Sequence, residues 1–408
     1  MLLSNELPLN IHRYPSGSEF GTWVVPDQWD VKAASLSDGD RVIASIADHP
    51  LFLAPYSHSF EGWLSRDELL THVKSDEERP DAYLYEYRLA SDYQRRLKEW
   101  LIALPHSLVL KLDKLQYFVD IQVETTPGHM LVGEHTLKGR NDYTFALLTH
   151  LCHPGQANDG LAGVAVGIEV LKRLAKEFSL PNYNYQLLIM PETIGSSVYL
   201  AENGDQIDSY LGSVFIEMAG IRSPVSVKFT RRGNTYLDRV LRQVVEDRGI
   251  EFGEAAFREP WGNDELVFDS PGVGIPGAAI QRFPFPAYHT SGDNMAETDP
   301  SSLEEMVEIL METVRVIESD FIPAPKQRVP VYLTRFNLYA DAQNDTTQYL
   351  LNASVLDALW SGKSVFDIAQ QVGAPYSAVK DFLGKLVEND LLETNPMTPQ
   401  YFRQSLDS

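Results

Sequence analysis

Uninterrupted apolar stretches alternate with amphipathic stretches through the middle of the chain. Phe145–Cys152 and Tyr185–Met190 are largely apolar, as strands buried on both faces of a parallel sheet are. Between them, Leu161–Phe178 repeats apolar residues along one helical face. Further strands are predicted over Ser213–Glu217, Val225–Phe229 and near Gly277–Ile280. This order predicts an α/β fold, with a mostly parallel sheet covered by helices on both faces.

Differences in composition and residue pattern divide the chain into three regions. Residues 1–35 and 124–322 are predicted to form one discontinuous α/β domain. The stretch 36–123 is rich in charge and tyrosine and contains the strand-like pieces DRVIASIA, LFLAPYS and LVLKLD, which predict an inserted β-rich subdomain. Its tyrosines Tyr83, Tyr85, Tyr87 and Tyr93 indicate a strand with one aromatic face, or alternatively the wall of a substrate pocket.

The end of the chain is a small helical module, residues 326–408, that follows the proline-rich segment FIPAPKQRVP, interpreted as a linker. Helices are predicted over Ser364–Val372 and Ser377–Glu388, with a strand at Leu391–Glu393. This order resembles a winged helix-turn-helix. From Lys326 onward the module has seven Lys/Arg and nine Asp/Glu, a net charge of −2, which disfavours contacts with phosphate.

Charge and composition narrow the possible partners and location. The 408 residues include 57 acidic and 34 basic ones, for a net charge of −23, so neither nucleic acid nor an anionic membrane is an expected partner. The sequence contains no run of about 18 apolar residues, so no membrane span is predicted. The opening MLLSNELPLN lacks secretory-signal features, and a single cysteine, Cys152, fits a reducing compartment, so a cytoplasmic location is expected. A homo-oligomer is expected on general grounds alone.

Residues able to bind a metal follow the predicted strands at the points where they end. Parallel α/β sheets bind ligands at the carboxyl ends of their strands, so these side chains are expected to converge. Two histidines and three carboxylates form a ligand set that zinc takes. The predicted metal-binding residues are His153, Asp159, Glu192, Glu217 and His289, with His150 as an alternative to His153.

Each of these residues also has a purely structural interpretation. His150 lies in phase with Ala146 and Leu148 and would then be a hydrogen-bonded core histidine. Asp159 would only cap the helix that begins near Leu161. The two glutamates would be partnered carboxylates at a sheet edge, and His289 an ordinary loop histidine. The five residues together support a metal site more strongly than any one of them.

The same residues carry a family resemblance. The segments CHPGQANDGLAG, MPETIGSSVYL and YHTSGDN resemble a bacterial aminopeptidase-like family without assigned function, which also has an inserted subdomain and a C-terminal winged helix. More distantly, the order of these residues is similar to that of the co-catalytic zinc aminopeptidases and glutaminyl cyclases. The resemblance implies one or two zinc ions and a peptide or small amide as substrate.

The resemblance also implies roles for single residues. Asp159 would bridge two metals, while Glu217 and His289 would each bind one of them. Asp264, in the segment GNDEL, would be a catalytic pocket carboxylate, and Glu192 would act as general base or as ligand. The segment His150-Leu-Cys152 aligns with the His-x-Asp ligand segment of the aminopeptidases.

Two departures from the aminopeptidase pattern bear on the chemistry. The aminopeptidases have two adjacent glutamates, a base and a ligand, whereas Thr193 follows Glu192 here. Cys152 stands where an aspartate normally orients the histidine ligand, and losses of that kind lower metal affinity or activity about 10–100-fold. The sequence therefore predicts a zinc-dependent hydrolase of an amide or peptide bond that uses metal-activated water. The alternatives are a metal-binding but catalytically altered or inert protein of metabolite or polysaccharide biosynthesis, and a ligand-sensing regulator with a winged helix.

Overall fold

A central sheet of eight strands organises the computed structural model, which describes residues 3–86 and 99–405. The four middle strands are parallel, and the strand on either side of them pairs antiparallel to its middle neighbour. Of the two outermost pairings, one is antiparallel and the other is parallel. From one edge to the other, the strands are Asn10–Pro15, His129–Leu137, Asn184–Met190, Thr144–His150, Tyr210–Glu217, Gly277–Arg282, Val225–Lys228 and Phe252–Ala255. The predicted mostly parallel sheet is confirmed.

Helices cover both faces of this sheet, because alternate residues of the buried strands point to opposite sides. Phe145 and Leu147 pack against one set of helices, and Ala146 and Leu148 pack against the other. The first face is covered by Leu161–Glu177, Tyr236–Asp247 and Pro300–Ser319. The second is covered by Ile194–Glu202 and Asp264–Phe268. Every residue of Thr144–His150 is buried, which explains the uninterrupted apolar run in the sequence.

A second, antiparallel sheet of four strands lies early in the chain. Its strands, in spatial order, are Val42–Ser45, Gln28–Ser37, Gln116–Thr126 and Phe60–Ser65. The domain boundaries predicted at 35/36 and 123/124 fall inside two of these strands, so the sheet extends beyond the predicted insertion on both sides. A separate hydrophobic cluster that includes Phe52, Tyr117 and Ile121 forms its core.

Two of the strand-like pieces predicted in this region are not strands. LFLAPYS begins within the short 3-10 helix Pro50–Phe52, and LVLKLD begins within the short helix His106–Val109. In each case a proline stands at the start of the helix, where its fixed φ favours a helical turn over an extended strand. The remaining small elements here are Glu19–Phe20, Trp23–Val24, Arg66–Leu70, Val73–Lys74 and Ile102–Ala103.

The C-terminal module packs against the central body. Its helices are Thr346–Ala358, Val365–Val372, Tyr376–Glu388 and Pro399–Phe402. Part of the predicted linker, Ile322–Pro325, is a strand that pairs with Leu392–Asn395. Prolines are tolerated in this strand because an edge strand needs few N–H donors. The pairing partner lies where the wing strand was predicted, and the winged-helix assignment stays a prediction. Within the described ranges, no helix is long and apolar enough to cross a membrane.

Candidate metal centre

Three neighbouring parallel strands end at the same edge of the central sheet and bring the predicted residues together. His150 is the last residue of Thr144–His150, and Glu217 is the last residue of Tyr210–Glu217. Glu192 follows the end of Asn184–Met190 by two residues. The convergence therefore results from the parallel arrangement of the strands, as expected for an open α/β sheet.

The first cluster of possible ligands consists of His150, Asp159 and Glu217. His150 Nε2 lies 2.7 Å from Glu217 Oε2 and 3.4 Å from Asp159 Oδ1, and the three side chains are only 2–3% exposed. Despite this proximity, Nε2 is buried and has no well-aligned hydrogen bond with any residue that the structure describes. A satisfied core histidine would have such a bond, so the three atoms are arranged as ligands of one ion would be.

The second cluster consists of His153, Asp159 and His289. Asp159 Oδ2 lies 3.1 Å from His153 Nε2 and 3.3 Å from His289 Nε2. The two oxygens of Asp159 thus face different clusters, and the contacts with His153 and His289 hold the pKa of this carboxyl far below its usual range despite its burial. Gly160, rather than Asp159, is the N-cap of the following helix, and no side chain caps it. The capping interpretation of Asp159 is therefore wrong, and His150 and His153 are not mutually exclusive.

Glu192 lies beside the first cluster and outside the two groups built on Asp159. With His150 and Cys152 it forms a third group, whose possible ligand atoms lie within 4.8 Å of one another. Glu192 Oε2 is 3.9 Å from Cys152 Sγ, which in turn lies 3.4 Å from His150 Nδ1. Burial raises the pKa of the Glu192 carboxyl to about 8, an effect that the positive charge of His150 opposes and the negative charge of Asp264 reinforces. A carboxyl with a pKa near neutrality is suited to accepting and returning a proton.

Asp264 supports the turn that carries Glu192. Its Oδ1 accepts hydrogen bonds from the backbone N–H of Thr193 at 2.9 Å and from Ser196 Oγ at 2.5 Å. Its Oδ2 is buried without a hydrogen bond, and burial raises the pKa of this carboxyl to about 6. The preceding residue, Asn263, donates from Nδ2 to Glu217 Oε2 at 3.2 Å, a contact that the sequence did not reveal.

Asp293 connects the two loops that carry Asp159 and His289. Its carboxylate accepts hydrogen bonds from three consecutive backbone N–H groups, those of Ala157 at 3.0 Å, Asn158 at 2.7 Å and Asp159 at 3.1 Å. The available sequence signal was its position four residues after His289, in the motif HTSGD, but this motif does not indicate the three backbone partners.

A segment near the early sheet forms a wall of the second cluster. The ring of Tyr85 stacks on His153 with centroids 4.0 Å apart, and the backbone N–H of Tyr85 donates to the carbonyl of His289 at 2.8 Å. The predicted aromatic strand is wrong for the described part of this stretch, where only Leu84 forms a bridge, with Thr290. Tyr87 and Tyr93 lie outside the described residues.

The donor atoms at this site fit zinc. Imidazole nitrogens and carboxylate oxygens are its ordinary ligands, and each of the two clusters supplies three of them within 4.8 Å of one another. The buried Nε2 of His150, close to two carboxylates and without a hydrogen bond, supports this fit. The residues present can therefore hold one ion in each cluster, with Asp159 shared between them.

Known proteins resemble this chain in sequence and in fold. A Clostridium acetobutylicum protein, provisionally named as a polysaccharide biosynthesis protein with an aminopeptidase-like domain, is 29% identical over 323 residues, which cover 78% of this chain and 72% of that protein. A crystal structure from the same organism, provisionally called a peptidase, has a TM-score of 0.82 at 25% identity and covers 96% of this chain and 90% of that one.

The fold is also that of zinc aminopeptidases. The structure of a zinc aminopeptidase from Bacillus subtilis has a TM-score of 0.53 at 14% identity and covers 77% of this chain and 86% of its own. The resemblance to an aminopeptidase-like family of unassigned function is confirmed, since residues 1–320 match a single family model. The chain belongs to the family described as a domain of unknown function, DUF4910.

Proposed function

We propose that this protein is a zinc-dependent hydrolase of an amide or peptide bond in a small substrate. The observation that carries the proposal is the position of Asp159, whose two oxygens face two separate clusters of three possible ligands. His153 supplies the third ligand of the second cluster, so this cluster does not need the second glutamate of the aminopeptidases. Glu192 is then free to act as a base.

Zinc bound at this site would supply a Lewis acid that polarises a carbonyl and lowers the pKa of bound water towards about 7. The residues of the chain provide the remaining functions. Glu192, in its ionised form, would accept a proton from the attacking water and deliver it to the leaving nitrogen. Asp264 fixes the turn that carries Glu192 through the N–H of Thr193. Cys152 contacts the other ring nitrogen of His150 and orients this ligand less strongly than a carboxylate would.

The decisive experiment measures zinc and hydrolysis in matched variants. Elemental analysis of the purified protein should give about two equivalents of zinc, and the double variant His153→Ala, His289→Ala should retain at most one. His135→Ala, at an exposed histidine on another strand, should retain both and serves as the control. Absence of zinc uptake by the unaltered protein would refute the proposal.

Hydrolysis is tested separately from metal binding. The variant Glu192→Gln should keep its zinc and lose about 100-fold or more of its hydrolysis of aminoacyl amides, because a positioned base contributes about 10²–10⁴-fold. Equal activity of this variant and the parent would exclude Glu192 as the base. Assays at several zinc concentrations ensure that the comparison is made at full occupancy.

A second candidate function is a metal-binding protein with altered or no hydrolytic activity in metabolite or polysaccharide biosynthesis. The observation in its favour is Cys152 beside His150, together with the single glutamate at Glu192. The name of the Clostridium acetobutylicum relative is consistent with this second function. Two bound zinc ions without hydrolysis of any aminoacyl or acyl amide would favour this function over the first.

For either function we propose a small amide or peptide ligand, no nucleic acid partner and a cytoplasmic location.

A further inference from the structure

A large cavity lies between the early four-stranded sheet and the metal-bearing edge of the central sheet. Its volume is about 510 Å³, within the range of about 300–1,000 Å³ that is typical of small-molecule sites. Trp29 and Tyr56 line it on the side of the early sheet, and Cys152 and Glu192 line it on the side of the central sheet. A ligand in this cavity therefore lies directly beside the proposed base.

The wall of this cavity is mostly apolar and rigid. Four aromatic residues contribute to it, namely Trp23, Trp29, Tyr56 and Tyr85. Five prolines add to the lining, at positions 26, 50, 55, 154 and 191. Tyr85 also stacks on His153, so one wall of the cavity is continuous with the second cluster. Contact with such a wall favours an apolar group over a polar one, because the group leaves water without losing hydrogen bonds.

Two carboxyl groups lie at the wall of the cavity. Asp27 and Glu192 line the cavity, and none of its lining residues in the described part of the chain is a lysine or an arginine. Recognition of a phosphate depends on positively charged side chains or on free N–H groups at a helix N-terminus. The helix Ile194–Glu202 begins at the cavity, but the N–H groups of Ile194 and Gly195 already donate to the carbonyls of Glu192 and Pro191. The cavity is therefore unsuited to a phosphate or diphosphate and is compatible with an uncharged or amine-bearing ligand.

The aromatic wall is fixed before any ligand binds. Trp29 Nε1 donates a hydrogen bond to the carbonyl of Ser57 at 2.8 Å, and the rings of Trp29 and Tyr56 lie 5.9 Å apart. Tyr56 has a φ of +56°, a backbone conformation that is uncommon for a residue other than glycine. The buried Ser57 holds the turn through its Oγ, which donates to the carbonyl of Ala54 at 2.8 Å. Preorganised aromatic side chains of this kind lose little entropy on binding.

We infer that this cavity binds a large aromatic or branched aliphatic group attached to the scissile amide, and that Trp29 and Tyr56 determine this specificity. The inference rests on the proposed function for the position of the amide. It identifies the substrate as an amide with a bulky apolar group rather than a nucleotide-linked or diphosphate-linked sugar. The early sheet then selects the substrate, while the central sheet carries the chemistry.

Calorimetric titration of the zinc-loaded protein tests the inference. The probes are phenylalaninol, which carries a benzyl group, ethanolamine, which has the same amino alcohol without it, and UDP-glucose, which carries a diphosphate. We expect phenylalaninol to bind at least 10-fold more tightly than ethanolamine, and UDP-glucose to bind more weakly than phenylalaninol. Equal affinities of phenylalaninol and ethanolamine, or tighter binding of UDP-glucose, would overturn the inference.

Variants of Trp29 test whether the aromatic wall determines the preference for phenylalaninol over ethanolamine. Trp29→Ala should abolish most of the 10-fold advantage of phenylalaninol, whereas Trp29→Phe, which keeps the wall apolar, should lose less than about threefold. The control is Trp63→Ala, at an exposed tryptophan on the same sheet that does not line the cavity. Full retention of selectivity by a folded Trp29→Ala variant would refute the role of this residue.

The same measurements separate this inference from the proposed function. Selective binding of phenylalaninol without hydrolysis of phenylalanine 7-amido-4-methylcoumarin supports the inference and contradicts the hydrolase proposal. Hydrolysis of the glycine and phenylalanine amides at equal kcat/KM supports the hydrolase proposal and overturns the inference.

Discussion

The carboxylate of Asp293 offers a sharp test of how the metal centre is held together. It is 5% exposed, and it accepts the backbone N–H groups of Ala157, Asn158 and Asp159. Replacement of Asp293 by asparagine keeps the size of the side chain but turns one acceptor oxygen into an N–H₂ donor. Whichever way the amide turns, at least one buried N–H loses its acceptor and faces another donor.

The magnitude follows from the number of lost contacts. A hydrogen bond to a charged group contributes about 1.5–3 kcal/mol, and one or two such bonds are lost, so the free energy of unfolding should fall by about 1.5–6 kcal/mol. The loop that carries Asp159 is then displaced from both clusters, and zinc affinity should fall about 10–100-fold. Urea denaturation followed by circular dichroism measures the first effect, and competition with a chelator of known affinity measures the second.

The matched control is the same substitution at Asp299. This residue caps the helix Pro300–Ser319 by accepting the N–H of Ser302 at 3.0 Å. Asparagine caps helices about as well as aspartate, so Asp299→Asn should cost less than about 1 kcal/mol and leave zinc binding unchanged. If Asp293→Asn behaved like Asp299→Asn in both assays, the three N–H contacts would not position the metal centre.

Three further predictions concern other parts of the molecule. Cys152→Asp should raise zinc affinity about 10–100-fold in chelator competition. The Cys152 thiol lies 3.4 Å from His150 Nδ1, and a carboxylate at this position would orient His150 more strongly. Unchanged affinity would exclude an orienting role for residue 152. Lys228→Met should lower the free energy of unfolding by about 3–5 kcal/mol, since it leaves Glu265, fully buried, without its partner at 3.1 Å. The exposed pair of Lys32 and Glu124 is the control, and Lys32→Met should cost about 0–1 kcal/mol in the same denaturation assay. Asp367→Ala should loosen the C-terminal module by removing the acceptor of Arg239 at 2.9 Å, and limited proteolysis should then cleave this module faster than in the parent.

The apolar pattern determined much of the central sheet before any tertiary information entered. Thr144–His150 and Asn184–Met190 lie within one residue or two of the predicted strands, because strands buried on both faces need apolar residues at every position. The pattern was less informative in the early sheet, where prolines turned two apolar pieces into helical turns. Short apolar runs do not distinguish such turns from strands.

The sequence by itself also identified the residues that reach the candidate centre, since metal-competent side chains at the ends of parallel strands must converge. Their grouping depends on the three-dimensional packing, which places Asp159 between His150 on one side and His153 and His289 on the other. It also supplied the partners of Asp293 and the stacking of Tyr85 on His153. The contacts of Asp293 and of Tyr85 join residues more than 60 positions apart, across loops with no periodic pattern. Their geometry depends on how the loops pack, which local propensities and hydrophobic periodicity do not encode.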